Sequence, residues 1–419
     1  MTSDVRSHLI GLLLGAEEDW PRAFEAILRM VGPIQAGGKT HTLEAERVRI
    51  APFDLTDDVR HGLVIDRLAY WYYHPREWLK KASLMNNTYL LNSPFTFQAM
   101  EKHSAYCAML RLGMKIPKTV LVPYKNPVDN VRWAYTSGKY NDPFDLEAIA
   151  EEVGYPLYMK PFDGGGWRGV SRVDDVAKLH SAYDDSGSML MHLQATVEYE
   201  HFARALSIGP ETMVMDFRPG EPMHSRYAVT HDFLSSKAGW ETQTVSKVVN
   251  AFFGWEFNSA EMLVQGNEVY PIDYANACPD VAVTSLHYYF PWAITALVRW
   301  STYCLVTGRK NPIGLRSPNA YFDIADNADM DYDEKMHAYR ALADSELEAE
   351  KYWQWCEDHL SHLPDRVLEW VGSKEFDTLI VDTVRATYPE HEHEKFLAHF
   401  RGLTGLWAAD QQNLRAPQA

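Results

Sequence analysis

The sequence predicts a mixed α/β and α+β chain: an α/β layer at the N-terminus, antiparallel strands in the middle, and a helical C-terminal region. Three observations carry this. Residues 8–14 form a short apolar run that ends at Gly15 and leads into a helical pattern over 21–31, which is how an α/β layer opens. Between residue 155 and about 276, strand-like runs dominate. From residue 331 onward the pattern is almost purely helical.

The first helix places Phe24, Ile27, Leu28 and Val31 at helical spacing. Arg47, Val48, Arg49 and Ile50 alternate like a strand with one wet face. Leu63, Val64 and Ile65 are uniformly apolar, as in a strand covered on both faces. A helix over 75–85 leads to a strand at Tyr89, Leu90 and Leu91. Asn92, Ser93 and Pro94 then start a helix that runs through Glu101 and Lys102 to Leu112, with Gly113 closing it. Residues 1–117 therefore read as one α/β domain. A strand at 119–122 opens the next part, and a polar loop over 125–143 separates it from a helix at 146–153. Further strands are expected at 157–159, 189–193, 212–216, 226–229, 261–264 and 269–273. Beyond residue 285 the chain turns aromatic and helical. Ala349, Tyr352, Trp353, Cys356 and Leu360 form one C-terminal stripe. Phe396, Phe400 and Leu403 form another after Pro389, which suits a first helical position.

The 419 residues are 46% hydrophobic and 23% charged, an ordinary globular balance, and their number suggests roughly three domains. A net charge of −17 argues against a clamp on DNA or RNA phosphates, which needs clustered cations. Cys107, Cys278, Cys304 and Cys356 are too widely spaced for a zinc or redox motif and read as reduced, packed thiols. The apolar run 9–16 is followed at once by Glu17, Glu18 and Asp19, unlike a secretory signal, and no run approaches the roughly 20 apolar residues of a membrane span. A cytoplasmic protein with no membrane partner is the expectation.

The most informative segment is 155–170. A strand ends at Lys160, and a loop containing Gly164, Gly165, Gly166, Arg168 and Gly169 follows. Glycines let backbone N–H groups approach phosphate oxygens with no Cβ in the way, and a strand-end lysine supplies a point charge for a phosphate. No Gly-Lys-Ser/Thr opens a helix here, and the glycine spacing is not that of a dinucleotide fold. A loop of this kind is also compatible with a plain hairpin turn.

About a hundred residues later, two strands flank the turn Gly266-Asn267. Glu261 and Asp273 stand twelve positions apart, so an antiparallel hairpin brings them side by side, and Asn276 adds a neutral oxygen three residues on. Hard oxygen ligands without His or Cys suit Mg²⁺, with Mn²⁺ as the alternative. The competing explanation is a pair of solvated carboxylates on a wet sheet face.

In this order and separation, the two segments resemble the ATP-grasp superfamily. Val64 to Arg67, Leu90 to Pro94, Glu101-Lys102 and Ile116 to Thr119 are similar to the N-terminal domain and linker of D-alanine–D-alanine ligase-like and RimK-like members. The resemblance covers roughly residues 8–280. It implies a Rossmann-like N-terminal domain (1–117), two antiparallel-sheet subdomains (118–195 and 196–325) and a helical extension (326–419). It further implies that Lys102 and Lys160 reach the nucleotide phosphates, that the loop from Gly164 to Gly169 closes over them, and that Gln194 and Glu198 stand at the adenine hinge. The ribose-binding carboxylate of the family falls on His201, with Glu198 and Glu200 beside it. Arg204 matches an arginine of the next strand. Where some ligases carry an arginine two positions before the first metal carboxylate, this chain has Ser259, so that role is either lost or moved to Arg226. Arg226 and Arg168 are the candidate catalytic cations, and Glu261, Asp273 and Asn276 the candidate metal ligands.

The resemblance implies an ATP- and Mg²⁺-dependent ligase joining a small carboxylic acid to an amine, less often a thiol, through an acyl-phosphate. An ATP-grasp kinase and a non-catalytic nucleotide sensor stay open, as does a homodimer. Two other groups carry less. His391, His393 and His399 do not share a helix face and read as a solvated helix start. The aromatic runs 70–73 and 287–292 read as packing, with a substrate cavity as the alternative.

Overall fold

The protein is described by a computed structural model over residues 5–125, 130–165, 167–276, 278–311, 313–314 and 317–415. Strand β1 (Val5–Leu13) is followed by α1 (Asp19–Val31), β2 (Ile34–Ala36), β3 (Lys39–Arg47), β4 (Leu63–Asp66), α2 (Tyr73–Asn86) and β5 (Tyr89–Leu91). These strands form a sheet in the order β2-β3-β1-β4-β5, parallel throughout except where β2 meets β3. Strand order reverses around β1, which opens a crevice at the carboxyl ends of the strands. All four residues of β4 are buried, as the uniform apolar run requires. The strand expected at 47–50 lies earlier, in β3, and beyond it only the Val48 N–H still bonds to Leu12 O (3.0 Å). Most of β3 is half-exposed and polar, so its pairing with β1 left no apolar alternation to read.

After β5, Pro94–Met100 is a 3₁₀ helix, and α3 (Lys102–Arg111) starts only beyond Glu101, whose backbone is extended. The expected single helix is therefore broken, and the break puts Lys102 in a first turn facing the cleft.

The next sheet is built from β6 (Thr119–Val122), β7 (Leu157–Pro161), β8 (Ser171–Val173) and β9 (Met191–Ala195), in the order β6-β9-β7-β8 and wholly antiparallel. Helices α4 (Val131–Tyr140), α5 (Leu146–Val153) and α6 (Val176–Asp185) accompany it. Helix α4 corrects the expected 125–143 loop. Asn130 caps it by accepting from Trp133 N (3.0 Å), yet only Ser137 is buried, so the helix has almost no apolar stripe to announce it. Leu157, Met159, Leu179 and Leu193 belong to a core confined to this unit.

The third sheet comprises β10 (His201–Ile208), β11 (Glu211–Phe217), β12 (Tyr227–Ala228), β13 (Phe257–Gln265) and β14 (Glu268–Asp273), antiparallel in the order β12-β11-β10-β13-β14. The 18-residue helix α7 (Ser236–Phe253) interrupts what reads as strand territory. Its β-branched stretch (Thr242, Thr244, Val245, Val248, Val249) mimics a strand, and burial on nearly every side erases the one-sided pattern. Helices α8 (Val283–Leu286), α9 (Phe290–Thr307), α10 (Asn319–Asp326), α11 (Tyr332–Glu346), α12 (Ala349–Leu360), α13 (Leu363–Val371), α14 (Lys374–Thr387) and α15 (His393–Arg415) complete the chain. In α12 the stripe holds for Ala349, Tyr352, Cys356 and Leu360, but Trp353 is exposed, its ring under Arg299. Pro389 precedes a 3₁₀ turn over Glu390–Glu392 rather than opening α15, and Leu403 is only half-buried while Phe396 and Phe400 are buried.

The first and third sheets share their cores with the C-terminal helices, and α1 packs against α9 and α14. Two buried polar staples join them. The Asn92 amide accepts from Glu256 N (2.9 Å) and Phe257 N (3.0 Å) and donates to Phe257 O (2.7 Å). The Glu256 carboxylate in turn receives Tyr89 OH (2.5 Å), Trp300 Nε1 (3.0 Å) and Arg309 (2.9 Å). Each buried polar atom thereby meets a partner, which burial demands. Among the described residues no helix is long and apolar enough to cross a membrane.

Candidate active site

A cleft lies between the small sheet (β6–β9) and the large sheet (β10–β14). One pocket in it, about 100 Å³, is lined by Lys160, Gly164, Gly165, Arg168 and Gln194 from the small sheet and its loop, by Phe202, Glu261, Leu263 and Asp273 from the large sheet, and by Lys102 from α3. Lys160 sits near the end of β7, only 8% exposed. Its Nζ donates to Gln194 Oε1 (2.5 Å), and Gln194 Nε2 donates to Thr119 Oγ1 (2.8 Å). Gln194 thus pins the lysine inside the small sheet. Burial pushes the Lys160 amine down to about 8, Asp273 pulling it back up and Lys102 pressing it further down. Lys102 comes from the first turn of α3, with Nζ 3.4 Å from Asp273 and a hydrogen bond to Gly164 O. Tyr106 OH, one turn on, donates to Ile272 O (2.5 Å) and fixes α3 against β14.

Glu261 and Asp273 face one another across β13 and β14, and a bulge makes that possible. Gln265 pairs with Glu268, so regular pairing would set Glu261 opposite Ile272; the register slips between Glu261 and Met262 and brings Asp273 there instead. Arg204, opposite Glu261 on β10, approaches its carboxylate at 3.4 Å. Burial raises the Glu261 carboxyl, Arg204 opposing and Asp273 reinforcing the rise. Asp273 Oδ1 is buried without a hydrogen-bond partner. An orphaned carboxylate oxygen beside a second carboxylate is the donor arrangement a divalent cation satisfies. Asn276 lines the adjoining cavity with both acids. Its N–H donates to Asn258 Oδ1 (2.7 Å), and its side-chain oxygen accepts from Cys278 N (3.3 Å). Arg67, on the loop after β4, grips the carbonyls of Cys278 and Pro279 and so holds this segment in place. Among the described residues no group of three or more His, Cys, Asp and Glu side chains gathers as a metal site; two carboxylates and one amide are what this cleft offers.

In the loop after β7, Gly164 (φ 100°) and Gly169 (φ 73°) adopt backbone angles that side chains resist. Gly166 lies outside the described residues. Asp163 accepts from Gly164 N (2.6 Å) and from the Tyr70 hydroxyl, tying the loop to the first sheet. Arg168 lies 5.8 Å over the Trp71 ring and, among the described residues, has no carboxylate partner.

The pocket also has an apolar lining, with Tyr158, Val197, Tyr199, Phe202 and Ile272 around it. Glu198 is exposed, and His201 packs edge-on to Phe233 (5.7 Å); neither lines the pocket. Tyr199 and Phe202 do, although nothing in their local sequence marked them.

A second cavity of about 230 Å³ adjoins the first, sharing Gly164, Gly165, Trp167, Glu261 and Asp273 with it. Arg204 and Arg226 both line it. Arg204 donates to Ser259 Oγ (3.1 Å) with its guanidinium 5.1 Å over Phe217, so a half-buried cation stands beside Ser259 after all, delivered by β10 rather than by position 259. Arg226 donates through Nε to Glu221 O (2.9 Å) and has no carboxylate partner among the described residues. Tyr70 and Trp71 line this cavity too, while Tyr72 and Tyr73 are exposed rather than packed. Of the later aromatic run, Tyr288, Tyr289 and Trp292 line a separate hollow of about 460 Å³ beneath α15. His393 Nε2 bonds to Tyr388 O (2.8 Å) and His399 Nε2 to His224 O (2.9 Å), both away from the cleft.

No protein-family model matches this chain, and no curated protein matches it either. Among solved structures it is similar to a RimK-domain ATP-grasp protein from Sphaerobacter thermophilus, at 12% identity and TM-score 0.48 over 69% of this chain and 97% of that one. It is also similar to a D-alanine–D-alanine ligase from Bacillus anthracis solved with ATP, at 12% identity and TM-score 0.49 over 72% and 99% of the two chains. The VanG D-Ala:D-Ser ligase of Enterococcus faecalis is similar at 11% identity and TM-score 0.47 over 72% and 100%.

Proposed function

We propose that this protein is an ATP-dependent ligase that activates a small carboxylic acid as an acyl-phosphate and passes the acyl group to an amine. The observation that carries the proposal is the convergence of Lys160 from the small sheet, Lys102 from α3 and two carboxylates from the large sheet on a single cleft. In this reading Lys102 and Lys160 meet the phosphates, the backbone of Gly164 and Gly165 approaches them, and the apolar lining of Tyr158, Val197 and Phe202 takes the base. Glu261, Asp273 and Asn276 would hold Mg²⁺ (or Mn²⁺), which supplies charge neutralisation between β- and γ-phosphates. The domain division at 117, 195 and 325 follows the same reading.

The chemistry balances with the groups present. A substrate carboxylate oxygen attacks the γ-phosphorus, the bond from that phosphorus to the β-bridging oxygen breaks, and ADP leaves. In this reading Arg226 holds the carboxylate, and Arg204, already bonded to Ser259, adds positive charge to the same cavity. The amine then attacks the acyl carbon, the bond from that carbon to the phosphate oxygen breaks, and the amine's proton leaves with the phosphate as hydrogen phosphate. Arg168 and Trp71 lie over the opening and limit access of water that would hydrolyse the intermediate.

The test is product analysis with purified protein, ATP, Mg²⁺ and a panel of carboxylic acids, with hydroxylamine as nucleophile. The expected result is acid-dependent ADP and a hydroxamate of the acid. A stable phosphorylated product without hydroxamate points to a kinase, ATP binding with no acid-dependent turnover points to a sensor, and stoichiometric AMP ends the acyl-phosphate mechanism.

A further inference from the structure

The second cavity is lined by far more ring surface than a small aliphatic acid would need. Tyr70, Trp71, Trp167, Phe217 and Tyr227 surround a space of about 230 Å³. Two of these rings are half bare: Trp71 is 49% and Trp167 45% exposed, with Met223 at the same mouth 56% exposed. Large apolar side chains left open around a concavity mark a surface that a ligand covers. They come from different parts of the chain. Trp71 stands on the loop after β4, which Asp66 shapes by accepting from Leu68 N and Ala69 N (both 2.9 Å). Trp167 stands on the glycine loop with φ 63°, a left-handed backbone that a tryptophan adopts only when held there. In the same cavity, the Arg226 guanidinium has no carboxylate partner among the described residues, whereas Arg204 is already engaged by Glu261 and Ser259.

Resting on the ligase reading for its role in turnover, we propose that the acid substrate is an aromatic monocarboxylate, its ring held by Trp71 and Trp167 and its carboxylate by Arg226. An aryl group gains both apolar burial and ring–ring contact in this cavity; an aliphatic acid of the same charge gains only the arginine. Trp71 and Trp167 are the specificity-determining residues, and Arg168, seated over Trp71, keeps that ring at the mouth.

Isothermal titration separates this proposal from the catalytic reading. Protein saturated with a non-hydrolysable ATP analogue and Mg²⁺ is titrated with 3-phenylpropanoate and with propanoate. The aromatic acid is expected to bind about tenfold tighter or better. Trp71→Ala should lose about that factor for 3-phenylpropanoate, Trp71→Phe should regain most of it, and Trp167→Ala should repeat the loss from the other wall. Arg226→Gln should weaken both acids. Tyr73→Ala, outside the cavity, should change neither, and melting curves verify that each variant is folded. Equal affinity for the two acids, binding of neither, or an unaltered preference in both tryptophan-to-alanine variants overturns the proposal. If 3-phenylpropanoate binds as expected but yields no hydroxamate with ATP and hydroxylamine, the ligase reading falls and the aromatic acid pocket stands.

Discussion

The small and large sheets face the same cleft but are supported in opposite ways. The small sheet (β6–β9) rests on a private core around Leu157, Met159, Leu179 and Leu193. The large sheet shares its core with the N-terminal sheet and with helices as distant as α15, and the buried Asn92 and Glu256 staples lock it there. Lys160 and the glycine loop belong to the first; Glu261 and Asp273 belong to the second. The buried lysine and the glycine loop are therefore carried by the part with a separate core, and the acidic pair by the part whose core is shared. Segments with separate cores open separately, and sites that must admit and release a ligand draw on them.

The largest expected effect sits on the fixed side. Asp273→Asn removes the charge of the orphaned oxygen while keeping its shape, and turnover should fall about a thousandfold with the melting temperature nearly unchanged, because a metal–phosphate contact is lost rather than packing. ADP release and a thermal melt check both halves; substantial residual turnover would remove Asp273 from the metal set. The next effect tests whether the two cores are separate. Leu193 is fully buried in the small core, so Leu193→Ala should cost about 2–5 kcal/mol there. Hydrogen exchange should speed up within 118–195 and stay unchanged in β10, β13 and β14. Equal loss of protection in both sheets would erase the contrast.

On the small-sheet side, Lys160→Ala should weaken ATP binding by about 1.5–3 kcal/mol, since in the proposed reading a charge-assisted phosphate contact is lost. Calorimetry reads this directly, and unaltered affinity would dismiss Lys160 as a phosphate ligand. The smallest effect is a pH dependence from the same lysine. Its amine is depressed to about 8, so the free protein loses that positive charge as pH rises through 8, and a phosphate must then restore the proton to bind. ATP affinity should be flat below that pH and fall by at most about tenfold per unit above it. Lys160→Arg, which stays charged, should straighten the profile; a bend that persists in that variant belongs to another group.

Much of this arrangement was legible from local chemistry. Strand-end Lys160 with its glycines, the Gly266-Asn267 hairpin and the buried run Leu63 to Ile65 are short-range patterns, and each depends on neighbours within a dozen residues. The misses have a common physical cause. Helix α7 is buried on nearly all sides and rich in β-branched residues, and α4 is exposed on nearly all sides, so neither shows the one-sided periodicity that betrays a helix. Glu198 and His201 were placed by position in a pattern, yet neither lines the pocket, whereas Tyr199 and Phe202 do.

The sequence by itself determined which chemistries were on offer: a strand-end lysine before flexible backbone, and hard oxygens on a hairpin. The tertiary structure decided where they point. The slip in register between Glu261 and Met262 is a one-residue change, yet without it Asp273 would pair one step out of phase and face the other side of the sheet. The cation beside Ser259 arrives from β10, Lys102 arrives from a helix broken at Glu101, and Arg67 holds the Asn276 segment from more than two hundred residues away. Side-chain identity is local, but the direction of a side chain is set by strand register and by which distant elements share its core, and those are properties of the whole packed chain.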